Sequence, residues 1–445
     1  MTVAASRLVL AHADAQRSGS ARLQISIGTD DTSFAGRERQ RMRTTLPTRS
    51  GLDLAARKLR LLMVVAAIGL GALAPIVGPA HAGAAVSSAR AGSDRGWPYQ
   101  GRVKAFDHFV PHVSTVPANA GDKVQLYLRE RVRPGFQGRA RHKQPRAVLF
   151  IPGSATASVP AFDLPFEDYS WMAFLARRGL DAFALDLTGY GRSPRPRMDD
   201  ACNVGPPAQQ ALLVPNPLRS TCPASYPFRL GTTQSDLDEI DTAVNYIREL
   251  RGVERVSLVG WSLGGHRAGL YAALHPDRVE RLVLYAPNYN RTSPSGPPAT
   301  LPQPGFPTLI RRKTAQVNWP GVSCEGQVDP AVRDPLWQSV LDNDPVGASW
   351  GPEDGVMRFP TTTQWGWNAT TAAQVTAATL IVRGALDTVI SHTTLTQLHD
   401  DLGTAEKALV TVPCASHFMI WETRRHVLHE LSANWLTEPP DGPGP

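Results

Sequence analysis

Three side chains, far apart in the chain, have the types and settings that acyl-transfer chemistry needs. Ser262 sits in Gly260-Trp261-Ser262-Leu263-Gly264. Asp387 lies in Gly384-Ala385-Leu386-Asp387, and His417 in Cys414-Ala415-Ser416-His417-Phe418. A serine hydroxyl is a poor nucleophile near neutral pH. It needs a base to take its proton and a third group to orient that base. Of the other histidines weighed as that base, His266 lies one helical turn past Ser262, His392 follows the wrong strand and His275 precedes Pro276, so all three read as structural.

The elements around these residues decide whether they can meet. Val256-Ser257-Leu258-Val259 reads as a strand running into the serine turn, with a helix from about Leu263 to Leu274. Strand, sharp turn and helix are what a nucleophile elbow requires. Gly260 and Gly264 have no Cβ, so backbone can pass close to the turn. The alternative is an ordinary strand–helix turn with a serine N-cap. Thr379-Leu380-Ile381-Val382 precedes Asp387, and Leu409-Val410-Thr411-Val412 precedes His417. Each reads as a strand, which puts both residues on loops at strand C-terminal ends, the same sheet edge as Ser262.

Further strands are read at Asp122–Val132, Arg146–Ile151, Leu180–Asp186 and Val279–Tyr285, and the two before Asp387 and His417 extend over Ala378–Arg383 and Ala408–Val412. Helices are read at Asp168–Arg178, from Ser235 as N-cap to Gly252, at Ser391–Leu402 and from about Thr423 to Trp435. Strands alternate with helices and the later strands are apolar throughout. That pattern predicts a mostly parallel central sheet with helices on both faces. Two stretches break it. Residues 194–232 are Pro-rich and irregular, and residues 288–372 are rich in Pro, Trp, Asn and Thr. Each leaves beside a strand's C-terminal end, where open α/β sheets bind ligands, so together they read as a cap; surface decoration is the alternative.

Here the chain resembles the α/β-hydrolase family. The order Ser262, Asp387, His417 is that family's order, with 125 and then 30 residues between them. Asp186-Leu187-Thr188-Gly189-Tyr190-Gly191-Arg192-Ser193 is similar to the family's loop after strand four. The resemblance covers roughly residues 104–436. It implies an α/β-hydrolase fold with an inserted cap and a serine esterase or lipase-like activity that needs no cofactor and no metal. It implies catalytic Ser262, Asp387 and His417, with an oxyanion hole from the backbone N–H groups of Leu263 and Ser154. Many relatives begin that loop with His-Gly, whereas this chain has Pro152-Gly153, so Ala155 is the alternative donor. Trp261, Gly153 and Ala155 are read as lining the substrate pocket.

The expected substrate is a small ester, apolar or aromatic, because Trp319, Trp337, Trp350, Trp365 and Trp367 all fall in the cap. Their alternative role is packing. Peptidase and lactonase activity use the same triad; an aminopeptidase would draw on acidic cap residues, for which Glu325, Asp329 and Glu353 are available. A non-catalytic binding protein on this fold usually lacks a triad member, and all three are present.

The remaining features bear on location and organisation. The chain has 445 residues, 42% hydrophobic and 19% charged, a globular composition with ample length for a large core. Arg57, Lys58 and Arg60 precede an apolar run from Leu61 to about Val77, and Ala80-His81-Ala82 follows. That is a secretory signal pattern, with an uncleaved anchor as the alternative. The expected organisation is a disordered extension or mis-assigned start at 1–56, with Met42 a candidate start, and a signal peptide at 57–82. The core then runs over 83–287 and 373–436 around the cap at 288–372, with a polar lead-in at 83–103 and a disordered tail at 437–445. Residues 1–82 hold eleven Lys and Arg against five Asp and Glu, so they carry +6 of the whole chain's +7. The rest is near neutral, with no sign of a nucleic-acid partner. Four cysteines in an exported chain predict disulfides. Of the three pairings, Cys202 with Cys222 and Cys324 with Cys414 is favoured, the second tying the cap to the loop before His417. A secreted or periplasmic location follows, with no stable membrane span. The Asn290 and Asn368 sequons would matter only in a glycosylating pathway.

Overall fold

The computed structural model describes residues 103–134, 146–154, 156–196, 200–205, 207–225, 230–297, 308–312, 323–349, 354–359 and 364–438. The expected start, signal segment and lead-in up to residue 102 lie outside these, as does the expected tail from 439 on, while Thr437 ends the last helix.

Eight strands form the main sheet: β1 (Lys104–Val113), β2 (Lys123–Val132), β3 (Ala147–Ile151), β4 (Asp181–Leu185), β5 (Val256–Trp261), β6 (Val279–Tyr285), β9 (Ala378–Gly384) and β10 (Lys407–Val412). Their order is β1-β2-β4-β3-β5-β6-β9-β10. All pairs from β4 to β10 are parallel, and β1 and β2 add antiparallel at one edge. The central strands are apolar runs because both faces are covered. Odd and even positions part cleanly. Leu149, Ile151 and Leu258 pack with Leu237, Ile240, Val244 and Ile247 of helix α3 (Thr233–Arg251). Val148, Phe150, Val259 and Trp261 pack on the other face with Trp171 and Leu175 of helix α2 (Trp171–Arg177) and Leu428 and Leu436 near the C-terminus.

Helix α4 (Leu263–Leu274) follows β5 directly, and strand β6 is as expected. The start of α3 differs. Its N-cap is Thr232, whose hydroxyl accepts the Ser235 N–H at 3.1 Å while the Ser235 hydroxyl accepts the Thr232 N–H at 2.9 Å. Ser235 is therefore the third helical residue of a reciprocal capping box, not the cap itself. Strand β1 and the short helix α1 (Ser158–Phe162) were unread. β1 is a largely exposed edge strand whose alternation mixes His with apolar residues, so it lacks a clean core face.

Between β6 and β9 the chain leaves the sheet. This insertion is more regular than its composition suggests. It holds a two-stranded antiparallel sheet, β7 (Thr308–Arg311) with β8 (Gly355–Arg358), and helices α5 (Arg333–Asp342), α6 (Pro345–Ala348) and α7 (Ala369–Ala372). Helices α8 (His392–Asp401) and α9 (Arg425–Thr437) complete the core. Trp337, Trp365 and Trp367 are buried, and the last packs against Gly269 of α4 and so fastens the insertion to the core. Trp319 and Trp350 lie outside the described residues. Asn368 is buried and caps α7 through the Thr371 N–H at 3.1 Å. Both expected disulfides are present, Cys202 to Cys222 and Cys324 to Cys414. Among the described residues no helix is long and apolar enough to cross a membrane.

Candidate active site

Ser262 stands between β5 and α4 at φ 55° and ψ −119°, a region strained for a residue with a side chain. The close packing of the two flanking elements over-determines it. A Cβ on Gly260 would lie 2.4 Å from the Gly264 carbonyl oxygen, and one on Gly264 would lie 2.0 Å from the Ile151 carbonyl oxygen. Both approaches are possible because neither residue has a side chain. The Ser262 N–H donates to the Tyr285 carbonyl at 3.0 Å, and its carbonyl accepts from Asn288 N–H at 2.9 Å. Leu263 is the first residue of α4, so its N–H has no acceptor within the helix.

Asp387 and His417 come together at the C-terminal ends of β9 and β10. His417 Nδ1 and Asp387 Oδ2 are 2.9 Å apart, both groups buried. The other carboxylate oxygen accepts the N–H groups of Val389 at 2.8 Å and Ile390 at 2.9 Å. Asp387 is thus held by its own turn and presents one oxygen to the ring. Neither His417 Nε2 nor the Ser262 hydroxyl hydrogen-bonds to another group among the described residues. Catalytic hydrogen bonds of this kind commonly close only with substrate present.

The loop after β3 runs alongside the serine. A Cβ on Gly153 would lie 3.3 Å from the Ser262 Cβ and 3.2 Å from the Trp261 ring. Ser154 follows and is exposed, while Ala155 lies outside the described residues. Trp261 is 3% exposed. Its indole packs among Tyr285, His417, Phe418 and Trp421, and its N–H donates to the His417 carbonyl at 3.1 Å.

Several supporting residues were not singled out in sequence. Arg267 on α4 is buried, paired with Asp236 at 2.7 Å, and donates to the Pro152 carbonyl at 3.2 Å. It ties helix α4 to the loop after β3. Asp186 is buried and accepts N–H groups from Ser158 at 2.7 Å and Arg192 at 2.9 Å, stapling that loop's far end. Burial raises its carboxyl above the usual range. Glu239 accepts the Thr188 N–H at 2.8 Å, and burial pushes its carboxyl up to about 8. Glu422, also buried, accepts from the Ser416 N–H at 3.0 Å and from the Ser416 hydroxyl. For Arg267 and Glu239 the available sequence signal was an ionisable residue on a helix face that otherwise reads as core. His266, read as structural, is buried, donates to the Trp365 carbonyl at 3.2 Å, and is pushed down to about 4 by burial and the neighbouring Arg267.

A family model described as serine aminopeptidase, S33, matches residues 169–424, a span that includes Ser262, Asp387 and His417. A poly(3-hydroxyalkanoate) polymerase subunit from Allochromatium vinosum is 50% identical over 44 residues, which is 10% of this chain and 12% of that protein. The match thus takes in about an eighth of that relative's length. Among solved structures, an esterase from Thermogutta terrifontis aligns at 15% identity and TM-score 0.46, covering 74% of this chain and 98% of its own. A serine hydrolase involved in carbazole degradation aligns at 16% identity and TM-score 0.45, covering 75% and 99%.

Proposed function

The chain belongs to the α/β-hydrolase family whose model is described as serine aminopeptidase, S33, and on that premise we propose that it is an exported serine hydrolase cleaving carboxylic esters through an acyl-enzyme. The observation that carries this reading is the buried His417–Asp387 contact at 2.9 Å on the same sheet edge as the strained Ser262. With Nδ1 donating to Asp387, Nε2 is left with the lone pair a general base needs. Substrate binding brings the Ser262 hydroxyl to Nε2. The oxygen attacks the ester carbonyl as His417 takes its proton. Asp387 holds the tautomer and stabilises the imidazolium. The imidazolium then protonates the leaving alcohol, and water, deprotonated in turn by His417, releases the acid.

The tetrahedral oxyanion takes hydrogen bonds from the Leu263 N–H and from the loop after β3, at Ser154 or Ala155. Each donor lowers the barrier by about 3 kcal/mol. The insertion over residues 288–372 acts as the cap. Half-buried Phe418 and Trp421, stacked 6.0 Å apart beside His417, favour an apolar or aromatic ester. The two disulfides and the segment at 57–82 support an extracytoplasmic location.

The family description favours a second reading, an aminopeptidase on the same triad. The acidic groups it would use are thinly placed: Asp329 caps the Ala331 N–H at 2.8 Å, Glu325 is exposed and Glu353 lies outside the described residues. Fluorophosphonate labelling of the full chain tests the nucleophile. A panel of short-chain, long-chain and aryl esters, lactones and aminoacyl arylamides separates the readings. Turnover confined to arylamides would replace the esterase with the peptidase, and no labelling at Ser262 would favour a binding protein.

A further inference from the structure

The nucleophile and the base come from strands that are not neighbours in sequence, so something must hold one at a fixed distance from the other. Tyr285, the last residue of β6, touches both. Its backbone carbonyl accepts the Ser262 N–H at 3.0 Å, and its phenol donates to the His417 carbonyl at 2.7 Å. The same phenol oxygen accepts the Met419 N–H at 2.8 Å, which fixes the chain on the far side of His417. Trp261, paired with Tyr285 across β5 and β6, donates its indole N–H to the same His417 carbonyl at 3.1 Å. Both rings are buried and lie nearly parallel, at 12°.

We infer that Tyr285 and Trp261 are positioning residues that set the distance between the base and the nucleophile. The inference rests on the triad reading above. Two donors from the strands beside Ser262 converge on one acceptor, the backbone oxygen of His417. The imidazole is therefore indexed to the nucleophile's own strand and its neighbour rather than to the end of β10 alone. Trp261 serves this role in place of a pocket wall. Without both donors the His417 loop is still held by Asp387 on the ring, by Glu422 on Ser416, by the Leu386 N–H on the Ala415 carbonyl at 2.9 Å and by the Cys324–Cys414 disulfide, but none of these groups belongs to the nucleophile's strand.

The test compares Tyr285→Phe, Trp261→Phe and the double variant in the full chain. Each single change keeps an aromatic ring and removes one donor to the His417 carbonyl; Tyr285→Phe also removes the acceptor of the Met419 N–H. Misplacement of a catalytic group by about 1 Å costs on the order of 100-fold, so kcat should fall by roughly 10- to 100-fold with KM changed less than about twofold. The Ser262 labelling rate by fluorophosphonate, per folded molecule, should fall in parallel. The double variant should lose more than the product of the single losses, because with one donor gone the other still limits how far the carbonyl moves. Three results would overturn the inference. One is a lowered melting temperature with an unchanged labelling rate. Another is an altered ranking of short-chain, long-chain and aryl esters at wild-type kcat, which would restore Trp261 as a pocket wall. The third is wild-type kcat in the double variant. Absence of labelling in the unaltered protein would instead remove the triad reading itself.

Discussion

Gly264 approaches Ile151 so closely that a Cβ there would sit 2.0 Å from the Ile151 carbonyl oxygen and 2.6 Å from that of Pro152. The helix that follows Ser262 is thereby docked directly on the strand end that leads into the proposed oxyanion loop. Gly264→Ala forces backbone apart on both sides. Overpacking of this kind costs about 1–3 kcal/mol or more, so the variant should melt lower. The surviving folded fraction should show reduced kcat with little change in KM, measured alongside a thermal melt.

Substitution of the proposed triad should separate its roles. Ser262→Ala removes the labelled oxygen, so fluorophosphonate incorporation and ester turnover should both disappear into background. Asp387→Asn keeps the shape of the turn but favours the wrong imidazole tautomer, and kcat should fall by about 10⁴-fold. Circular dichroism should match the unaltered protein in both cases, since each change is nearly isosteric.

Stability should fall on both sides of an optimum, for two separate reasons. His429 is fully buried in α9, stacked on Trp171, and burial holds its ring well below the ordinary value of 6.5. The unfolded chain therefore binds a proton that the folded chain refuses. Its contribution is intact above about pH 6.5 and is lost as pH falls below it. Replacing His429 with Phe should flatten that acid limb in urea melts taken at successive pH values.

Glu239 acts in the opposite sense. Its carboxyl, raised from 4.5 to about 8 by burial, stays protonated in the folded chain after the unfolded one has ionised. Its contribution is full below about 4.5 and is lost as pH rises toward 8. Glu239→Gln keeps an acceptor for the Thr188 N–H and should therefore raise stability most at pH 8 and above. An unchanged alkaline limb in the same melts would contradict this.

The two disulfides should not be equal. Cys324 and Cys414 are 90 residues apart, and Cys202 and Cys222 are 20 apart. By loop-closure entropy the longer link contributes about 4–5 kcal/mol and the shorter about 3 kcal/mol. Paired Cys→Ser variants compared by guanidinium unfolding should show the larger loss at 324 and 414. That link also joins the insertion to the residue three before His417, so its removal should lower kcat, while loss of the other should not.

What could be read in sequence was local. Apolar runs of five to seven residues fixed most strand positions, since a strand buried on both faces has no freedom to be otherwise. Gly260 and Gly264 marked the sharp turn. The order Ser262, Asp387, His417 could be read because each residue follows its own strand and parallel strands end on one edge. The Thr232 cap was displaced to Ser235 because both residues of a capping box carry hydroxyls.

Tertiary structure decided the rest. Nothing in sequence could say that Trp261 and Tyr285 would both reach the carbonyl at position 417, that Arg267 would find Asp236 and Pro152, or that Glu422 would find Ser416. The exposed strand β1 and the small sheet at 308–311 and 355–358 also lacked a local pattern, because their backbone partners rather than their side-chain periods make them strands. A residue's preference for helix or strand is set by neighbours a few positions away. The partner of a buried donor or charge is set by whatever the closed sheet brings beside it, which only the three-dimensional path of the chain determines.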